Sequence, residues 1–175
     1  TPGSGPGHMA LFGYDPVKYL MGRGVLEALG IGLSLGKHEI ASRGNFCTID
    51  SNNLLTDRRA GRISTNESVK LAALLDTIDI PGVNLSVYPV KDYRFVLVLS
   101  GNEFFDKIKG TDPQIEGAVP LEAVAMSEDS EATASAVNAF VSTARELLAE
   151  EKKANMVLLR GFSSLPNLPD FGVAY

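Results

Sequence analysis

Cysteine and histidine are almost missing from this 175-residue chain: Cys47 is the single cysteine, and the histidines are His8 and His38. One cysteine excludes an internal disulfide and suits a reducing, cytoplasmic location. Cys47 sits in an alternating apolar stretch, which marks a buried, inert thiol rather than a nucleophile. Two scattered histidines provide none of the clustered ligand spacing that a transition metal needs, so no metal site is expected in this chain. No apolar run approaches the roughly 20 residues that span a bilayer, and nothing near the start reads as a signal peptide, so no membrane partner is expected. Net positive charge is lacking as well. A formal charge of −5 argues against a nucleic-acid surface, although a local basic cluster still attracts a small anion.

What remains is ordinary for one globular domain: 45% hydrophobic and 21% charged residues, without internal repeats. The Gly/Pro/Ser-rich opening Thr1–His8, followed by Met9, reads as an expression-tag remnant. Residues 1–9 are therefore set aside and 10–175 are taken as one domain cut from a longer protein. Pro16–Leu29 has helical spacing broken at Gly22-Arg23-Gly24, which predicts two short helices around a turn. Glu39–Asp50 and Leu54–Arg59 read as a hairpin joined at Ser51-Asn52-Asn53. A helix over Glu67–Leu75, capped by Thr65 or Asn66, precedes an alternating strand at Val83–Val90. Arg94–Leu99 is a continuous apolar run and the expected central strand, and Ser100–Val119 reads as a long loop. A helix over Asp129–Lys153, capped by Ser127 or Asp129, carries the apolar stripe Ala132, Ala136, Val137, Phe140, Val141, Ala144, Leu147 and Leu148. Met156–Leu159 is a last short strand ended by Arg160-Gly161, ahead of an irregular Pro-rich tail. The pattern predicts an α+β fold: a small mixed, mainly antiparallel sheet with helices packed on it.

Chemistry concentrates in Asp57-Arg58-Arg59-Ala60-Gly61-Arg62, with three guanidiniums and one carboxylate in six residues. On an extended backbone Arg58 and Arg59 face opposite ways, but Ala60-Gly61 offers a bend that returns Arg62 beside one of them. Planar guanidiniums suit bidentate recognition of phosphate or carboxylate; the same stretch reads equally well as a solvated surface run. Arg43 on the neighbouring strand and Arg94 at the head of the central strand either converge on the same ligand or pair with acidic neighbours. Asp112, in Thr111-Asp112-Pro113-Gln114, reads as a turn opener. No carboxylate pair and no Ser with a local base presents itself as catalytic.

An ordered series of segments adds a resemblance: Leu11-Phe12-Gly13-Tyr14-Asp15-Pro16, Gly22-Arg23-Gly24 with Glu27-Ala28, and Arg43-Gly44-Asn45-Phe46-Cys47-Thr48-Ile49-Asp50. It continues through Asp57–Ile63, Tyr93–Leu99, Thr111-Asp112-Pro113, Ala154-Asn155 and Leu158-Leu159-Arg160-Gly161. Together these resemble the central region of archaeal-type, 2,3-bisphosphoglycerate-independent phosphoglycerate mutases, of the alkaline-phosphatase-like metalloenzyme superfamily. The resemblance implies an inserted substrate-binding domain that closes over a catalytic core holding two divalent metal ions (Mn, Mg, Zn or Co). That core carries a nucleophilic Ser just upstream of the Gly-Tyr-Asp-Pro segment, expected outside this chain. The implied ligand is phosphoglycerate, with Arg58 and Arg62 as primary contacts, Arg43, Arg59 and Arg94 in support, and Asp57 and Asp112 as further candidates. The other partner is the catalytic core of the parent chain, and the piece itself is expected to be inactive. Two positions depart from the family pattern: Tyr93 and Gln114 stand where histidines are common. An autonomous anion-binding or interaction module, and the same domain in a sibling phosphotransferase or phosphatase, are the alternatives.

Overall fold

Ten residues, Ile40–Ile49, form strand β1, and eight of them are buried. A strand with one wet face would alternate; this one does not, because both of its faces are covered. The computed structural model describes residues 22–165. In it β4 (Arg94–Gly101) and β7 (Met156–Ser164) pair along the two edges of β1, β3 (Val83–Pro89) pairs with the outer edge of β4, and β2 (Leu55–Asp57) pairs with the far end of β1. Every pair described is antiparallel. The expected central strand, β4, is an inner strand, but β1 is the hub, with three partners rather than two.

On one face of the sheet Phe95, Leu97 and Leu99 of β4 join Phe46 of β1 in the main core. Helices α2 (Thr65–Leu75) and α3 (Glu131–Leu147) complete that core with Leu71, Leu75, Val137 and Phe140. On the other face Ala41, Val96 and Val98 pack with Ala28 of α1 (Arg23–Gly30) and with Leu33 and Leu35 behind it. This is the α+β fold that the pattern predicts. No described helix is long and apolar enough to cross a membrane.

Several expectations need correction. Gly22-Arg23-Gly24 is not a turn; α1 starts at Arg23, with Gly22 as its N-cap. Gly22 has no side chain to cap with, so Ser163 of β7 stands in, accepting from the Val25 N–H at 3.1 Å. Gly24 is required because a Cβ there would lie 2.0 Å from the Ala41 carbonyl oxygen, where α1 presses on β1. Helix α2 is capped by Ser64, not Thr65 or Asn66, in a reciprocal box with Glu67. Helix α3 begins after a 3-10 turn at Glu128–Ser130 and stops at Leu147 rather than Lys153. The apolar stripe ends there, with Leu148 buried and the charged 150–153 stretch exposed. Within that stripe Ala132 is exposed and Leu147 is 39% exposed.

The expected loop at Ser100–Val119 holds a short strand β5 (Ile108–Lys109) that pairs with β6 (Val124–Ala125). Strand β7 runs through Arg160-Gly161 instead of ending there, and the sheet absorbs them as a register shift between Ala41 and Arg43. The helix half read before Gly22 and the tail beyond residue 165 lie outside the described residues.

Cys47 is fully buried, and that burial, with Asp112 and Asp57 adding to it, pushes its thiol well above the ordinary range. Alkylation by iodoacetamide at neutral pH is therefore expected only under denaturing conditions; rapid labelling of the folded chain would contradict the burial. The Ser64 hydrogen bonds hold the Glu67 carboxyl below its usual range. Because the carboxylate is the accepting form, its support of α2 is present above the ordinary glutamate pKa and is lost as pH falls below it. Ser64→Ala is expected to cost about 1 kcal/mol in urea denaturation. Gly24→Ala should cost more, since the Ala41 backbone cannot give way; equal stability would mean that α1 does not dock this closely.

Candidate functional site

Strand β2 stops at Asp57 because its carboxylate takes over the following backbone. Oδ1 accepts from the Arg59 N–H at 2.8 Å and Oδ2 from the Gly61 N–H at 2.7 Å. Asp57 is thus a turn-former that spends one acceptor site of each oxygen on the backbone while lining the cleft that the turn shapes. The three residues Ala60, Gly61 and Arg62 all adopt left-handed backbone, with φ of 49°, 62° and 53°. Two of them are not glycine, and each costs about 1–2 kcal/mol in that region. Burial of Ala60 and Ile63 in the main core helps to hold the bend. The bend read at Ala60-Gly61 is real: Arg58, Arg59 and Arg62 line one open cleft of about 820 Å³, whose further lining comes from Thr56, Asp57, Gln114, Ile115 and Glu116.

A second segment reaches this cleft from the far side of the sequence. The Thr111 N–H donates to the Leu159 carbonyl at 2.8 Å, and Thr111 Oγ1 accepts from the Leu159 N–H at 2.9 Å. That pairing fixes Asp112 beside β7. Its side chain is 1% exposed; Oδ2 takes Arg58 Nη2 at 2.7 Å and has Arg160 Nε at 3.9 Å. Its other oxygen accepts from the Gln114 N–H at 2.8 Å, the turn-opening role expected of it. A buried carboxylate with a close guanidinium is costly to leave unpaired, so Asp112 holds Arg58 in place.

From Arg160 the row of charge continues across the sheet. Arg160 of β7 is the register partner of Arg43 on β1, and Asn45, two residues on, is the partner of Arg94 on β4. Glu27 of α1 lies over them, with its Oε1 3.9 Å from Arg43 Nε and 3.4 Å from Arg94 Nη1. Arg43 and Arg94 therefore both converge and pair with an acidic neighbour. The Arg43 guanidinium is held below its ordinary pKa, first by burial against the pull of Glu27, then by repulsion from Arg160, Arg94 and Arg23. Among the described residues the Nε atoms of Arg43, Arg58 and Arg160 are buried without a hydrogen-bond partner.

Of the residues singled out from sequence, Arg58, Arg43, Arg94 and Asp112 meet in this strip. Arg59 and Arg62 share the cleft with Arg58, and no ion pair among the described residues links them to Asp112 or Glu27. Sequence reading missed Arg160, Glu27 and Asn45. Arg160 had a signal, an arginine directly following the apolar run Val157-Leu158-Leu159. Tyr93, at the first departing position, packs on the main core, and Gln114, at the second, lines the cleft. Among the described residues no three His, Cys, Asp or Glu side chains gather as a metal site. The strip's surplus of guanidiniums does not fit a divalent cation, so no step is drawn through one.

The family model for 2,3-bisphosphoglycerate-independent phosphoglycerate mutase matches residues 1–154. Relatives from Thermosipho melanesiensis, Thermotoga maritima and Deinococcus radiodurans, each named "probable 2,3-bisphosphoglycerate-independent phosphoglycerate mutase", are 45%, 46% and 45% identical over all of this chain. The chain spans 44% of the length of each. A solved cofactor-independent phosphoglycerate mutase from Thermoplasma acidophilum, 30% identical, superposes with a TM-score of 0.82 over 99% of this chain and 49% of its own. A Pyrococcus horikoshii structure, 24% identical with a TM-score of 0.68, shares the fold. The family match starts at residue 1, so it takes in the stretch read above as a tag remnant, and those residues are counted with the family sequence from here on. The chain belongs to the 2,3-bisphosphoglycerate-independent phosphoglycerate mutases.

Proposed function

We propose that this chain supplies the substrate-holding part of a phosphoglycerate mutase that interconverts 3-phosphoglycerate and 2-phosphoglycerate in the cytoplasm. The observation that carries the proposal is Arg58, whose guanidinium is fixed by buried Asp112 at 2.7 Å while it lines a cleft with Arg59 and Arg62. A ligand with a phosphate and a carboxylate needs several oriented cations, and holding them preorganised is most of what a protein contributes to phosphoryl transfer. In the proposed reaction the phosphoryl group leaves one glycerate oxygen for a serine hydroxyl, and the other glycerate hydroxyl then takes it back. The O–P bond broken in each half is replaced by one formed.

Within this sequence Ser4 stands ahead of Gly13-Tyr14-Asp15-Pro16. With the family match beginning at residue 1, we assign Ser4 as the candidate phosphorylated serine, in place of one outside the chain. The divalent ions implied by the family are proposed to sit in the remainder of the parent protein. Ile115, 63% exposed at the cleft, supports a domain that closes on that remainder, since burying it would remove apolar surface from water.

The test is an enolase-coupled assay of the full-length parent with 3-phosphoglycerate and Mn²⁺, without added bisphosphoglycerate. Arg58→Ala and Arg62→Ala are each expected to lower kcat/KM by about 100-fold or more. Asp112→Asn should lower it by about tenfold, with a reduced denaturation midpoint, because the arginine it positions is released. Ser4→Ala should abolish turnover and remove any phosphopeptide seen on quenching. The 175-residue chain alone is expected to show no turnover at metal saturation. A folded, metal-loaded parent without mutase activity would move the assignment to another phosphorylated substrate.

A further inference from the structure

Nine large apolar side chains are exposed among the described residues, and six of them, Phe105, Ile115, Val119, Leu121, Val124 and Met126, fall within residues 105–126. This excursion is not a slack loop. The Phe105 N–H donates to Thr133 Oγ1 of α3 at 3.0 Å, and the Asn138 amide of α3 bonds both the N–H and the carbonyl of Ala123, at 2.8 and 2.9 Å. Leu55 of β2 shares one backbone bond each with Gly117 and Ala118, and the Leu121 N–H donates to the Thr111 carbonyl. A surface fixed in this way meets a partner with little cost of ordering.

Register sorts the β5–β6 pair into two faces. Ile108 stands opposite Ala125, and both turn to the main core. Lys109 stands opposite Val124, and one step further the Met126 N–H donates to the Lys107 carbonyl at 2.7 Å. Alternation therefore puts Lys107, Lys109, Val124 and Met126 together on the outer face, where Val124 is 56% and Met126 65% exposed. Apolar surface with charge at its rim has the composition of a protein interface. Length names the occupant. This chain spans 44% of a curated relative and 49% of the Thermoplasma acidophilum protein, so in both more than half of the polypeptide lies outside the matched part. Tethered to this domain, such a remainder has a far higher effective concentration than a second copy.

We infer that the outer face of β5–β6 is a docking surface for the remainder of the parent protein. That remainder meets Val124 and Met126 with apolar side chains and Lys107 and Lys109 with carboxylates, since cations taken out of water need anionic partners. The inference deepens the function proposed above and rests on it only for the position of the arginine cleft. One segment serves both: Ile115 lines the cleft, and Asp112, at the root of the excursion, holds Arg58.

The experiment uses the full-length parent loaded with Mn²⁺ and 3-phosphoglycerate. Hydrogen peroxide oxidation of Met126 is followed by peptide mass spectrometry and compared with the same protein unfolded in urea. A carbodiimide then couples Lys107 and Lys109 to any carboxylate in contact. Met126 is expected to oxidise about tenfold or more slowly than in urea, and cross-links are expected to join the lysines to sequence outside this chain. Val124→Asp should return Met126 to its rate in urea and lower kcat/KM about tenfold; should it not fold, the unmodified protein still decides. Met126 oxidising as fast as in urea overturns the inference. So do cross-links confined to this chain, or ones that vanish on dilution, because the chain then covers itself or pairs with a second copy. Protection and cross-links in a parent without mutase activity leave the docking surface standing and sink the proposed function; full activity without them does the reverse.

Discussion

Like charges repel, and a strip containing Arg43, Arg58, Arg94 and Arg160 persists because two carboxylates are set into it. Glu27 lies between Arg43 and Arg94, and Asp112 between Arg58 and Arg160. At an effective dielectric of about 20, two unit charges 4 Å apart interact by about 4 kcal/mol. Repulsion of that kind acts on Arg43 from Arg160, Arg94 and Arg23. Two anions for four cations remove most of that strain but leave net positive charge, which is the condition an anion-binding site requires.

The fold exists, in large part, to deliver those two carboxylates. Glu27 is on target because α1 docks backbone-close at Gly24 and is tied to β7 through the Ser163 hydroxyl. Asp112 is on target because Thr111 ties its N–H and its hydroxyl to Leu159. In each case a backbone contact places a side chain whose charge then orients arginines from β1, β4, β7 and the turn after β2. The double-sided burial of β1 supplies the low dielectric that makes these pairings matter, and it also costs Asn45 its water.

Local sequence signals carried the elements well wherever periodicity and burial agree. The strands β1, β3 and β4, the helix α2 and the apolar face of α3 followed from spacing, because covered surfaces demand apolar residues at those intervals. Ends were read less well. Good helix formers continue through 149–153, but beyond buried Leu148 that stretch has no apolar side chain to bury against the core, and α3 ends at Leu147. The capping box at Ser64 was passed over for Thr65 and Asn66, and Gly22 was read as a turn because its cap comes from residue 163. Composition alone set the opening residues aside, whereas the family match takes them in.

For the site, the sequence alone located the candidate chemistry: arginines massed at 58–62 with a glycine bend between them, in a chain otherwise acidic, suit either a small anion or a solvated surface run. Asp57, a candidate from the sequence, proves to shape the turn that carries Arg59 and Gly61 through its two carboxylate oxygens. Only the tertiary structure decided which arginines act together, because register and docking join residues 27, 43, 45, 94, 112 and 160 across distances in sequence that no local pattern records. It also picked out the outer face of β5–β6, since whether an apolar side chain is left uncovered is a property of everything packed around it and not of the residue itself.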